Sequence, residues 1–255
     1  MTDLDEFWPP SAAVAPRRAV SAQTQQGQRN KALSRDEIVH AAVALADAEG
    51  AGAVNMRRIA KDLGVGAMSL YWHVADKERL LDLMLDLVEG EDEAVEPSGD
   101  WRQDLSRIAT QKRRALLRHP WVVDFMSGRP PFGPNALLQI ERSLAVVDDL
   151  DVDTRTRLQI LTTIDAYVTG SVLHELREQR AEDTQSREGL SPADIVAGMQ
   201  AWKDRLDRAG RFTRVLRIFD EGIDPDAAET RNERFEFGLE CILEGIACRL
   251  AQVVP

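Results

Sequence analysis

Cysteine, tyrosine and long apolar runs are scarce in this chain of 255 residues. There are two cysteines, Cys241 and Cys248. On one helix that spacing separates them by about 10.5 Å, beyond the reach of a disulfide. Neither stands in a zinc-type spacing. No apolar stretch approaches the ~18–20 residues that a membrane span needs. The opening MTDLDEFWPPSAAVAPRR starts acidic and lacks the apolar region of a secretory signal. A cytoplasmic protein without a membrane partner is expected. The motifs of catalysis are missing too. The four histidines lie in separate segments, and no HExxH, nucleophile elbow, Walker or Gly-rich dinucleotide pattern occurs. DVDTR at 151–155 lacks the downstream Gly and Glu of a calcium loop. The expectation is no enzyme, no metal site and no cofactor.

A net charge of −11 argues against a nucleic-acid partner until it is divided along the chain. Residues 7–80 hold 10 Lys+Arg against 7 Asp+Glu, a net +3, whereas residues 81–255 hold 22 against 33, a net −11. Residues 7–35 carry Arg17, Arg18, Arg29, Lys31 and Arg35 with no acid. A mildly basic head on an acidic body suits contact with a polyanion at one end only.

The chain is expected to fall into three parts. Residues 1–33 form a basic arm without helical or strand period, disordered when free. Residues 34–80 form a small helical head, and residues 81–255 a larger helical body. Ser34 and Glu37 make a capping box before the periodic Ile38, Ala41, Ala42, Leu45 and Ala46. Asn55 caps a second short helix, and Ala67–Val74 is read as a third. Asp76 opens a fourth. In the body, helices are expected at about 101–119, from a cap at Asn135, at 154–179, from Ser191 to about 209, and at 232–253. Residues 126–135 and 220–230 are read as loops. No strand and no internal repeat stand out, so the fold class is all-α.

Three short helices with a tight Gly64-Val65-Gly66 connection have the sequence form of a helix-turn-helix. Leu70 and Val74 face inward. Ala67, Met68, Ser69, Tyr71 and His73 then face outward, with Lys77 just beyond and Arg57 opening the second helix. Such a set suits base edges, methyls and phosphates of a major groove. Trp72 is expected to pack between the head and the fourth helix. The arm's Arg17, Arg18 and Arg29 either enter a neighbouring minor groove or serve as a solubilising leader.

The segment MRRIAKDLGVGAMSLYWHVADKERLLDLM, Met56 to Met84, resembles the DNA-binding segment of the tetracycline-repressor (TetR) family. At lower identity the resemblance continues through residues 100–121, the GRP at 128–130, TIDAYVTGSVLHE at 163–175 and FEFGLECILEGI at 235–246. It implies a homodimeric repressor on a palindromic operator of double-stranded DNA, released by a small molecule. The resemblance also places an effector pocket among Trp121, Phe125, Phe132, Tyr167, His174 and Trp202, any of which could instead be core. Ile108, Lys112 and Met126 stand where the tetracycline repressor has polar and metal-binding residues. A larger hydrophobic effector, such as an antibiotic or its precursor, is therefore expected, with an exporter or biosynthetic operon as the regulated genes. A ligand-independent, DNA-associated dimerisation protein is the alternative. Gly238 and Gly245 lie seven residues apart on the last helix. With Ile242 and Ile246 they mark either a dimer interface or close packing within one subunit, since a mid-helix glycine costs about 1 kcal/mol against alanine.

Overall fold

The computed structural model describes residues 33–125, 133–189 and 191–253. Among these residues there are helices and turns and no strand. The chain divides into two compact units, Met1–Thr162 and Thr163–Pro255.

The first unit begins with α1 (Arg35–Glu49), α2 (Met56–Asp62), α3 (Ala67–Tyr71) and α4 (Lys77–Glu89). The expected caps are in place. Ser34 and Glu37 bond reciprocally at the start of α1, Asn55 accepts from Arg58 N–H, and Asp76 accepts from Arg79 N–H. Each satisfies a donor that the first helical turn leaves open, worth about 1 kcal/mol apiece. The head's core is Ile38, Ala42, Val54, Ile59, Leu70, Val74, Leu80 and Met84, nearly all fully buried. The helix expected to run from Ala67 to Val74 stops at Tyr71. Trp72 and His73 form a turn after it, and the His73 and Val74 amides both bond to Leu70 O at 2.9 Å.

The unit continues through α5 (Trp101–Arg118), α6 (Val122–Phe125) and α7 (Pro134–Val146) to the start of α8 (Thr154–Arg187). The acidic connection at 90–100 is pinned along α5. Gln111 donates to Glu93 O at 3.2 Å, and Arg118 reaches Glu91 and Asp92 at 2.9 and 3.3 Å. Buried Asp104 accepts from the Ser98 amide and hydroxyl at 2.8 and 2.7 Å, and Arg107 pairs with it. Burial opposes its charge, but these donors outweigh burial and hold the carboxyl below its ordinary value. Helix α4 continues past residue 80 and packs on both α1 and α7.

Helix α7 starts differently from the expectation. Its N-cap is Gly133, and Asn135 lies within the first turn. The cap is supplied from another helix: Asp86 of α4 accepts the Asn135 and Ala136 amides at 2.9 and 3.1 Å. A Cβ at Gly133 would collide with that carboxylate, so glycine is required there. A cap donated across 49 residues leaves no local signature in the sequence.

The second unit holds the rest of α8, α9 (Pro192–Ala209), α10 (Thr213–Asp220) and α11 (Arg231–Val253). Helix α8 runs to Arg187 rather than Gln179, because no Gly or Pro interrupts the polar stretch REQRAEDTQSR. Helix α10, which the sequence reading left unassigned, packs against α9. Ser191 and Asp194 form the capping box of α9. Tyr167 of α8 stacks on Phe235 of α11 with ring centroids 5.6 Å apart, and its hydroxyl donates to Phe235 O at 2.6 Å. Glu178 of α8 takes bonds from Arg231 and Arg234 of α11 at 2.8–2.9 Å.

Candidate nucleic-acid interface

The turn between α2 and α3 is closed by backbone bonds. Val65 N–H reaches Ala60 O at 2.9 Å and Gly64 N–H reaches Lys61 O at 3.1 Å, the two bonds of a Schellman motif. Gly64 stands at φ +68°, a conformation that side chains with a Cβ adopt at a cost. Ala60, 2 % exposed, leaves room for the crossing. From this turn α3 projects, anchored by buried Leu70 and by Val74 just past its end.

Met68, Ser69, Tyr71 and His73 are exposed on the outer side, and Ala67 is half-buried. Trp72 corrects the expectation. It is 76 % exposed, beside Met68 at 73 %, instead of packing between the head and α4. It is the C-cap of α3 with helical backbone angles, and at 100° per residue it lies about 200° from buried Leu70, on the outer side. An indole so open to water has no packing role, and it joins the outward set.

Two arginines open α2 with different fates. Arg58 is held by Glu49 at 2.8 Å and Asp62 at 3.0 Å, so it braces α1 against α2. Arg57 and Lys61 on α2 and Lys77 at the start of α4 are instead exposed cations without an ion-pair partner among the described residues.

The residues expected to line a pocket have separate partners. Trp121 is buried, its indole N–H donates to Asp47 of α1 at 2.7 Å, and its ring meets Phe125 edge-on at 6.3 Å. His119 is buried between two carboxylates, Nδ1 at 2.8 Å from Asp47 and Nε2 at 2.9 Å from Glu91. Both carboxylates accept from the ring only when both nitrogens carry protons. This group of Asp47, His119, Trp121 and Glu91 ties α1 to the corner between α5 and α6. In the second unit Tyr167 serves Phe235 O, and His174 lies 2.7 Å from Glu178. Asp226 stands close to the last two, but the guanidiniums of Arg231 and Arg234 already supply the positive charge a metal would bring. Trp202 is exposed and meets Phe219 at 5.4 Å. Phe132, Met126, the GRP segment, Arg17, Arg18 and Arg29 lie outside the described residues.

Gly238 also finds its reason within the subunit. A Cβ there would collide with the Tyr167 ring, so the glycine serves the α8–α11 contact. Around Gly245 the space is open. Ile242 and Ile246 are half-buried.

A Schellman-closed turn, a short projecting helix with an unpartnered outer face and an all-helical body define a helix-turn-helix DNA-binding regulator. Residues 38–84 match the description "Bacterial regulatory proteins, tetR family", and residues 94–250 match "Tetracyclin repressor-like, C-terminal domain". The chain belongs to the TetR family of transcriptional regulators, which act on DNA and are not enzymes. It is 34% identical over 222 residues to the HTH-type transcriptional repressor DrrR1 of Streptomyces coeruleorubidus, covering 86% of this chain and 79% of that one. An HTH-type transcriptional regulator of Saccharopolyspora erythraea is 35% identical over 202 residues, covering 74% of this chain and 86% of the relative. Among solved structures, the TetR family protein ActR of Streptomyces coelicolor in complex with actinorhodin aligns with a TM-score of 0.66 at 28% identity, covering 86% and 98% of the two chains. No described helix is long and apolar enough to cross a membrane.

Proposed function

We propose that this protein is a homodimeric transcriptional repressor that reads a palindromic operator with α3 and leaves it when a hydrophobic small molecule binds the body. The observation that carries the reading is the outer side of α3 and the turn after it, where Met68, Ser69, Tyr71, Trp72 and His73 stand exposed, together with exposed Arg57 and Lys77, which have no ion-pair partner among the described residues. Met68 and Ser69 suit thymine methyls and base edges, Tyr71 and His73 the groove wall, and Lys77 a phosphate. Arg57 reaches a guanine or a phosphate. Arg17, Arg18 and Arg29 of the arm enter the adjoining minor groove.

The effector is an aromatic antibiotic or a precursor of one, and the regulated genes encode its export or synthesis. The complex of ActR with actinorhodin supports that class. Trp121, Tyr167 and His174 have polar atoms already committed within the chain. Phe125 has only a ring face to offer, which favours an apolar ligand over a polar one. Dimerisation through α8 and α11, with Gly245, Ile242 and Ile246 in the contact, sets two heads about 34–36 Å apart or a multiple of it. An effector that prefers a differently spaced state releases the DNA, a differential affinity of a few kcal/mol being enough.

The test is operator binding by an Arg57→Ala, Tyr71→Ala double variant whose helical content matches the wild type. Affinity should fall at least about tenfold, since a bidentate base contact alone is worth ~1–3 kcal/mol. Unchanged affinity sinks the assignment of α3. Actinorhodin, titrated against the operator complex, probes the effector class; a panel of aromatic antibiotics without effect would favour the ligand-independent alternative.

A further inference from the structure

Helices α9 and α10 fold back on each other through Gly210, which stands at φ +66°. Trp202 meets Phe219 at 5.4 Å and Lys203 pairs with Asp220 at 2.6 Å, so the hairpin holds itself together. It contributes little to any core. No described residue of α9 is buried, and Leu216 alone is buried in α10. Val196, Met199, Trp202, Val215 and Ile218 remain exposed.

The hairpin also carries arginine at every third position, Arg205, Arg208, Arg211, Arg214 and Arg217, all exposed. At 100° per residue, positions 214, 215, 217 and 218 of α10 share an arc of about 160°. The outward face of α10 is thus two adjoining strips, Val215 and Ile218 on one side and Arg214 and Arg217 on the other. Helix α11 presents the converse. Glu233, Glu236, Glu240 and Glu244 recur at steps of three and four, so they line one exposed face beside Phe237, which is 70 % exposed. Like charges at this spacing weaken a helix. Among the described residues none of Arg214, Arg217, Glu236, Glu240 and Glu244 has an ion-pair partner.

We propose that the outward face of α10 docks on the outward face of α11 in a second copy of this chain, and reciprocally. Val215 and Ile218 pack against Phe237, while Arg214 and Arg217 meet Glu236 and Glu240 alongside them. Each face carries an apolar strip beside a charged one, so apolar meets apolar where opposite signs meet. A twofold axis uses each face twice, so one complementary pair of surfaces suffices. Nucleic acid fits the arginines but is repelled by the glutamate row, whereas a second copy satisfies both. Two chains of net charge −11 also repel each other unless local surfaces of opposite sign meet. The proposal rests on the homodimer reading and assigns it a second contact beyond α8 and the Gly245 stripe.

Sedimentation equilibrium of the full chain at physiological salt provides the test, with three proteins: wild type, R214E/R217E, and R214E/R217E/E236R/E240R. Charge reversal should raise the dimer dissociation constant at least about tenfold, because each reversed arginine faces a glutamate in both symmetry-related contacts. The fourfold variant restores opposite signs and should return the constant to within about threefold of wild type. A dimeric wild type with an unchanged constant in R214E/R217E, or a fourfold variant without recovery, overturns the α10–α11 contact. The hairpin would then fit a different partner, and the dimer reading would survive. A wild type that stays monomeric at all concentrations removes both.

Discussion

Glutamate 178 should contribute about as much to folding as any single side chain in the second unit. Its carboxylate is almost wholly buried between α8 and α11, accepting from Arg231 Nε at 2.9 Å and from both Arg234 terminal nitrogens at 2.8 Å, with His174 at 2.7 Å. Burial opposes the charge. The hydrogen bonds from Arg234 and Arg231, the charge of Arg234 and the contact with His174 together outweigh it and lower the carboxyl from 4.5 to about 2. That difference corresponds to about 3 kcal/mol of stability. Since the folded value is the depressed one, the contribution is complete above the unfolded value of 4.5 and fades as pH falls towards 2. At pH 3 only about 1 kcal/mol should remain. Glu178→Gln keeps the shape but leaves two guanidiniums facing a neutral amide, so a loss of about 3 kcal/mol is expected at pH 7. Thermal unfolding followed by circular dichroism should drop by roughly 7–14 °C. Urea melts at pH 7 and pH 3 then compare the two proteins directly. A difference below about 1 kcal/mol at neutral pH, or one as large at pH 3 as at pH 7, refutes the reasoning.

Asp47→Asn should destabilise the first unit by about 1–3 kcal/mol in urea, because it weakens the acceptor shared by His119 and the Trp121 indole; a change within experimental error would mean that this link between α1 and α5–α6 is idle. Gly238→Ala should cost about 1–3 kcal/mol by displacing the hydrogen-bonded Tyr167 ring. Gly245→Ala, with open space around it, should instead gain up to about 1 kcal/mol; equal effects at the two sites would contradict the packing at Gly238. Lys77→Ala should weaken binding to operator and random DNA alike and flatten the dependence of log affinity on log salt by about one unit; a loss confined to the operator would make Lys77 a base-reading residue.

The caps of α1, α2, α4 and α9 were legible because each depends on residues within three or four positions of one another. The Gly64 turn was legible for the same reason: a Schellman closure needs a left-handed residue, and glycine tolerates it best. Trp72 is exposed against the expectation that so large an aromatic packs under α4; helical periodicity, which sets it about 200° from Leu70, points outward. Asn135 was misread as a cap because the actual cap, Asp86, comes from another helix. α10 escaped notice because it is short and buries a single residue. The pocket residues were named by position in the family, and their partners (Asp47 for Trp121, Phe235 O for Tyr167, Glu178 for His174) could not be read from spacing.

Local sequence by itself determined the all-helical class, the helix-turn-helix and most of the helix starts, since backbone conformation and capping are decided within a few residues. Tertiary structure alone decided what each long-range side chain does. The same pair of glycines on α11 illustrates the difference. Both sit on one stripe of the helix and look equivalent as letters. Only the approach of Tyr167 from α8 makes Gly238 indispensable within the subunit, while Gly245 faces open space. Which glycine serves the fold depends on which neighbour arrives, and that neighbour lies 71 residues away in the chain.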